Sequence, residues 1–291
     1  MVLRRHSKNS ETIDVNEHQI EHHIHHHLHQ NNLNNESAKN IQIDDTKNTA
    51  KKKKLTLTDK MVMLLAETMG TGLLVFFGCM GCINWSDMPG LAIQASLNFG
   101  LTVMFVVHIF GHISYAIINP AIVITAVVNK LIDIKLGIMY IIAEVAGAIL
   151  GYGALVALTP TKYFQTPPGE NGLCVTNLHP SVSIVQGFFI EFIITSVLVF
   201  LVCSLWDPRN KDKADSATIK LGLTVAAICF ATAPATVASM NPARSIGPAV
   251  WNNEWENHWL YWTATMSGSL FSSIFYRLVF WKDPEQESTE L

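Results

Sequence analysis

The chain has 291 residues, 49% of them hydrophobic and 15% charged, with a formal net charge of -3. That composition argues against one or two ordinary soluble domains. The charges are also unevenly spread, since residues 1–60 hold ten of the twenty Lys and Arg, so the net value says little about partners. The first element in chain order is this polar tail, 1–60, in which no signal peptide is visible and which is expected to be cytoplasmic and disordered. Within it, "IEHHIHHHLHQ" at 20–30 packs six His. Ile20, Ile24 and Leu28 recur every four residues. On a helix, His18, His22, His25 and His29 would share another face, with metal-ligand or pH-switch potential. A low-complexity tail is the favoured reading. Lys51 to Lys54 would draw anionic lipid and set topology, and Thr56 and Thr58 beside them are candidate phosphorylation sites.

Six apolar runs follow, at 61–83, 91–110, 136–158, 183–206, 219–234 and 258–281. Crossing ~30 Å of hydrocarbon takes ~20 residues, so these are read as membrane spans of an all-α protein. Six spans put both termini on one side. Lys60, Lys130, Lys135, Arg209, Lys211, Lys213, Lys220, Arg277 and Lys282 flank that side, against only Lys162 and Arg244 on the other. Both termini, including the short tail 283–291, are therefore expected to be cytoplasmic, with the protein in the plasma membrane. Asn84-Trp85-Ser86 is a glycosylation sequon on the outer side that abuts the membrane. Cys79 and Cys82 form a C-x-x-C inside an apolar run, with no second pair or His nearby. They are read as small packing residues rather than a metal or redox motif.

The spans repeat. "AETMGTGLLVF" (66–76) answers "IEFIITSVLVF" (190–200), "INPAI" (118–122) answers "MNPAR" (240–244), and Tyr140, Ala143 and Gly147 answer Tyr261, Ala264 and Gly268. The first repeat is assigned to 61–160 and the second to 181–282. Each holds three spans, an odd number, so the second must be inserted upside down, and inverted repeats bring their shared element to the bilayer midplane from opposite sides.

That element is Asn-Pro-Ala: Asn119, Pro120 and Ala121 in one half, Asn241, Pro242 and Ala243 in the other. Asn followed by Pro starts a helix, with Asn as cap and Pro at the first turn, where its missing N–H is not needed. The apolar stretches that follow (half-helices 120–129 and 242–251) would reach ~15 Å, half a bilayer. Each N-terminus carries roughly +0.5 charge, and the two Asn side chains add N–H donors there. A water oxygen accepting from both must turn its hydrogens outward. That breaks a proton-conducting chain, while the doubled positive field repels cations. The segments leading in, 111–118 and 235–240, are expected to be non-helical with carbonyls beside a water-filled path. Arg244 argues for such a path, since a charge at that depth costs roughly 2.5–3.5 kcal/mol or more without water or partners. Glu67 and Glu191, at matching positions, are natural acceptors for the loop N–H groups. Glu144 has no repeat partner and is read as structural.

"GHISYAIINPAI", "GFFIEF", "MNPARSIGPAVW" and "HWLYW" resemble the motifs of the major intrinsic protein family, the aquaporins, over 60–282. The wording is most similar to insect members. The resemblance implies a bundle of six transmembrane helices plus two re-entrant half-helices, assembled as a homotetramer with one pore per subunit. It also adds His112 to the loop-supporting residues. The family's filter positions fall on Phe99, Cys229, Ala238 and Arg244. Water-selective members have His at the second position, whereas "AAICFATAPAT" has none. A thiol there should widen the pore and give it an apolar wall facing Arg244, which suits a polyol. Glycerol and urea are therefore expected permeants beside water, as in the insect subgroup that lacks this His. Ser245, Ala249, Tyr261 and Trp262 instead follow the water-channel pattern, and a strictly water-selective pore stays open as the alternative. Ala238 stands where many members have a mercury-sensitive cysteine.

Competing classes fit less well. A coupled transporter should place carboxylates at the unwound midplane segments, which here offer Asn, Arg and backbone groups. A structural or adhesion member with little flux would need sticky outer loops, and 159–182 is ordinary. Without a nucleophile–base pair or metal constellation an enzyme is not expected, nor a cofactor or a nucleic-acid partner.

Overall fold

The computed structural model describes residues 55–85, 92–164 and 172–282. The His-rich stretch, Lys51 to Lys54, Ser86 of the sequon and the tail 283–291 lie outside the described residues. Among those described are eight α-helices and no strand: α1 (Leu57–Met80), α2 (Ala92–Ser114), α3 (Pro120–Val128), α4 (Ile134–Leu158), α5 (Ile184–Trp206), α6 (Ala217–Thr236), α7 (Pro242–Asn252) and α8 (His258–Val279). Short 3₁₀ turns, Thr161–Phe164 and Pro208–Ser216, interrupt two of the connections. The starts are chemically marked. Thr56 and Asp59 form a capping box on α1, Asp133 caps α4, and Ser183 with Gln186 boxes α5. The Thr56 hydroxyl, a candidate phosphorylation site, is thus engaged with the Asp59 carboxylate and N–H.

Among the described residues, five helices are long and apolar enough to cross a membrane: α1, α2, α4, α5 and α6 with the turn before it. The sixth long helix, α8, has 22 residues but carries many hydroxyls. Thr265, Ser269, Ser272 and Ser273 are all fully buried, while Trp259, Phe271 and Leu278 face outward. Among the described residues, all of these hydroxyls but that of Ser272 find partners inside the bundle. Ser273 donates to Thr125 of α3 at 2.9 Å, and Ser269 shares a hydrogen bond with Thr125 and donates to the Ala121 carbonyl. The outer faces of the other helices are similarly apolar, with Leu65, Ile142, Leu150, Phe189 and Phe230 more than half exposed. That is the inside-out pattern hydrocarbon requires.

The halves pack alike, α1 on α4 and α5 on α8, with α2 against α6 joining them. At the first contact Gly147 lies against the Thr68 carbonyl, and at the second its repeat partner Gly268 lies against the Phe192 carbonyl. A Cβ at either would collide with that oxygen. Close backbone approach through small residues is how membrane helices pack when no hydrophobic drive separates them from lipid.

The half-helices α3 and α7 begin at Asn119 and Asn241, which cap them through Ala121 N–H and through Ala243 and Arg244 N–H. The breaks before them are shorter than 111–118 and 235–240. Helix α2 runs on to Ser114 and α6 to Thr236, and each then turns through left-handed residues. Positive φ occurs at Tyr115, Ala116 and Ile118, and again at Val237, Ala238 and Met240, each 122 positions further on. None is glycine, so each conformation is unfavourable by itself, by about 1–3 kcal/mol, and must be imposed by what the loops bind.

Candidate permeation site

Buried carboxylates impose it. Glu67 of α1 accepts from Ile117 N–H at 3.0 Å and Ile118 N–H at 2.7 Å. Glu191 of α5 accepts from Ser239 and Met240 N–H, both at 2.9 Å, and from the Thr236 hydroxyl at 2.6 Å. Both side chains are fully buried. In each half, a left-handed turn thus aims successive N–H groups at one carboxylate.

The third loop N–H differs between the halves. Asn241 N–H reaches the Ser239 hydroxyl at 3.3 Å. The equivalent position in the first half is Ile117, which has no hydroxyl, and there Glu144 of α4 accepts from Asn119 N–H at 3.0 Å. Glu144, read from the sequence only as structural, is a loop support. The signal that could have found it was the missing hydroxyl at 117. Tyr140 supports the same loop by donating to the Ser114 carbonyl at 3.1 Å. His112 makes none of these bonds; it lines the wide cavity described below, beside His108. The loop-supporting role expected of it passes to Glu144 and Tyr140.

The two loops interlock at the centre. Asn119 Nδ2 donates to the Met240 carbonyl at 2.9 Å, and Asn241 Nδ2 to the Ile118 carbonyl at 2.8 Å. Each amide therefore spends one hydrogen across the interface, leaving one for the cavity it borders. The N-termini of α3 and α7 meet here, their first N–H groups capped by the Asn side-chain oxygens and their positive dipole ends directed at this point.

A cavity of about 530 Å³ runs from the α5–α6 connection to this point, lined by Val103, Leu198, Tyr115 to Ile118 and both Asn. It continues into a throat of about 50 Å³. The throat brings together Phe99, Cys229, Ala238 and Arg244, with Leu74, Val103, Leu198 and Val225 as its apolar wall. Cys229 is a free thiol. The Arg244 guanidinium lies 4.8 Å from the centre of the Phe99 ring, and its Nη1 donates to the Cys174 carbonyl at 2.7 Å. With only 3% exposure the charge is nearly enclosed, so these partners, rather than bulk water, carry its stabilisation. The Ser245 hydroxyl lies 2.6 Å from that of Ser239, inside the second loop.

The packing role expected of Cys79 is corrected. Cys79 forms a disulfide with Cys174, 95 residues away, while Cys82 stays free. The C-x-x-C was misleading because the partner of Cys79 lies in a distant connection and not on its own helix.

The profile of the major intrinsic protein family matches residues 54–276. Aquaporin-4 of Mus musculus is 38% identical over 224 residues, covering 76% of this chain and 68% of that protein. The lens fiber major intrinsic protein of Ovis aries is 31% identical over 213 residues, covering 73% and 79%. In three dimensions, the X-ray structure of the aquaglyceroporin from Plasmodium falciparum aligns with a TM-score of 0.64 at 22% identity, over 76% of this chain and 96% of that one. With the all-helical bundle and its apolar spans, these matches fix the fold and the lineage: the chain belongs to the major intrinsic protein family.

Proposed function

We propose that the chain is a passive channel for water and for small uncharged solutes, glycerol and urea, that excludes protons and ions. The observation that carries the reading is the throat. A guanidinium supplies donors for hydroxyls, Cys229 and Ala238 leave room, and Leu74, Val103 and Val225 offer carbon-facing wall. Proton exclusion is assigned to Asn119 and Asn241 with the two helix dipoles, which orient a passing water and oppose hydronium. The apolar outer faces suit lipid and three further copies, giving a homotetramer in the plasma membrane with cytoplasmic termini. The missing filter His aligns the chain with the polyol-passing insect subgroup.

Strict water selectivity is the second reading. It is favoured by Ser245 in the first turn of α7, hydrogen-bonded to Ser239 of the second loop, and by the names of the aquaporin-4 relatives. Swelling of proteoliposomes in a glycerol gradient separates the two. Wild type should pass glycerol, and Cys229→His should cut glycerol flux by about tenfold or more while keeping water flux, since one polar group at a constriction discriminates on that scale. Water flux without glycerol flux in both proteins would leave the water-only reading.

A further inference from the structure

We propose that the Cys79–Cys174 disulfide is a specificity-determining crosslink, fixing the backbone that positions Arg244 at the throat. The inference rests on the reading of that throat as the channel's filter. Three successive residues of the α4–α5 connection are tethered from three different elements. Gly172 N–H donates to Glu254, beyond α7, at 2.7 Å. The Leu173 carbonyl accepts from Tyr152 of α4 at 2.7 Å. Cys174 is joined to Cys79 at the end of α1, with the Cα atoms 5.4 Å apart. Cys174 then turns its own carbonyl to Arg244 Nη1.

Cys174 adopts a φ of 66°, a left-handed backbone that disfavours residues with a Cβ. That conformation needs outside restraint, and the covalent tether acts on the very residue whose carbonyl is used. A long connection would otherwise sample many placements of this oxygen. If the carbonyl moves away, the guanidinium loses its charge-assisted bond and seeks other oxygens. The open space beside it is the narrow throat. An arginine released into that space obstructs glycerol more than water.

Reduction by a dithiol proceeds in two exchanges. A reductant thiolate attacks one sulfur, breaking the S–S bond, forming a mixed disulfide and releasing one Cys thiolate. The second reductant sulfur then displaces the other. Two electrons and two protons end on Cys79 and Cys174, and the reductant leaves as its cyclic disulfide.

The test uses the purified full chain in proteoliposomes, reading glycerol and water permeability before and after dithiothreitol, with Cys79→Ser/Cys174→Ser alongside. The ratio of the two permeabilities does not depend on how many channels have folded, so it isolates filter geometry from stability. Reduction is expected to lower the glycerol-to-water ratio by at least about threefold, and reoxidation to restore it. The double variant should start at the low ratio and ignore the reductant. Free-thiol counting by mass spectrometry reports whether the buried bond has opened; where it resists the reagent, the variant decides. A ratio that is unchanged or raised in the variant overturns the proposal. Should wild type pass water and no glycerol, the polyol reading alone fails. The crosslink is then scored on water permeability per channel, which must fall in the variant, and an unchanged value overturns it.

Discussion

Glu144 carries a cost that Glu67 and Glu191 avoid. One of its oxygens takes the Asn119 N–H, but Oε2 is buried and has no hydrogen-bond partner among the described residues. A carboxylate left half-solvated at membrane depth is unfavourable, whereas an amide offers the same acceptor without the charge. Glu144→Gln should therefore fold and conduct with a stability within about 1 kcal/mol of wild type. Glu144→Leu orphans the Asn119 N–H and should cost about 1–3 kcal/mol. Thermal unfolding in detergent compares them, and equal losses for Gln and Leu would show that the acceptor does not matter. This residue also marks a limit of reading the chain alone. Glu67 and Glu191 were legible because the repeat pairs them at matching positions. Glu144 was not, because its task in the second half falls to Ser239, a residue of a different kind on a different element. Cys79 was opaque for a related reason: nothing near it in the chain indicates Cys174.

Helix starts were legible in the elements, while the turns before them were less so. Asn-Pro announces α3 and α7, yet six left-handed residues with side chains carry no glycine signature, and propensity alone extends the unwound segments too far. The connection between α5 and α6 shows how an element boundary is fixed by charge instead. Asp207 accepts from Arg209 N–H at 3.0 Å, Nε at 2.9 Å and Nη2 at 2.6 Å, and from the Tyr276 hydroxyl at 3.3 Å, while Arg209 also donates to the Phe280 carbonyl beyond α8. The Arg209 side chain holds the Asp207 carboxyl below the usual carboxylate range. A lowered native pKa gives a contribution that is present above the ordinary Asp value of about 3.9 and is lost as pH falls through the lower native value. Asp207→Asn should therefore melt earlier than wild type at pH 7, with the gap closing as pH falls through the lowered native value. A gap that persists undiminished at low pH would assign the loss to packing rather than charge.

At the scale of the whole molecule, the inverted repeat makes each half incomplete without the other. The amide of Asn119 is spent on Met240 of the second half and that of Asn241 on Ile118 of the first, so two bonds restrain one relative placement of the loops. Each Asn also caps its own half-helix, a local and independent contribution of about 1 kcal/mol. Asn119→Ala and Asn241→Ala should each lower stability by about 1–3 kcal/mol through the lost cap and the lost crossing bond. The caps should add in the double variant, but the crossing bonds should not. Once one is gone the loops can relax, and the second has less to hold. The double variant is thus expected to lose about 0.5–1 kcal/mol less than the sum of the singles, read as melting-temperature shifts of the four proteins at fixed lipid and protein concentration. Strict additivity would mean that the loops are positioned by their side supports, Glu67, Glu144, Tyr140 and Glu191, and not by the crossing amides. The crossing amides would then serve only to orient whatever passes between them.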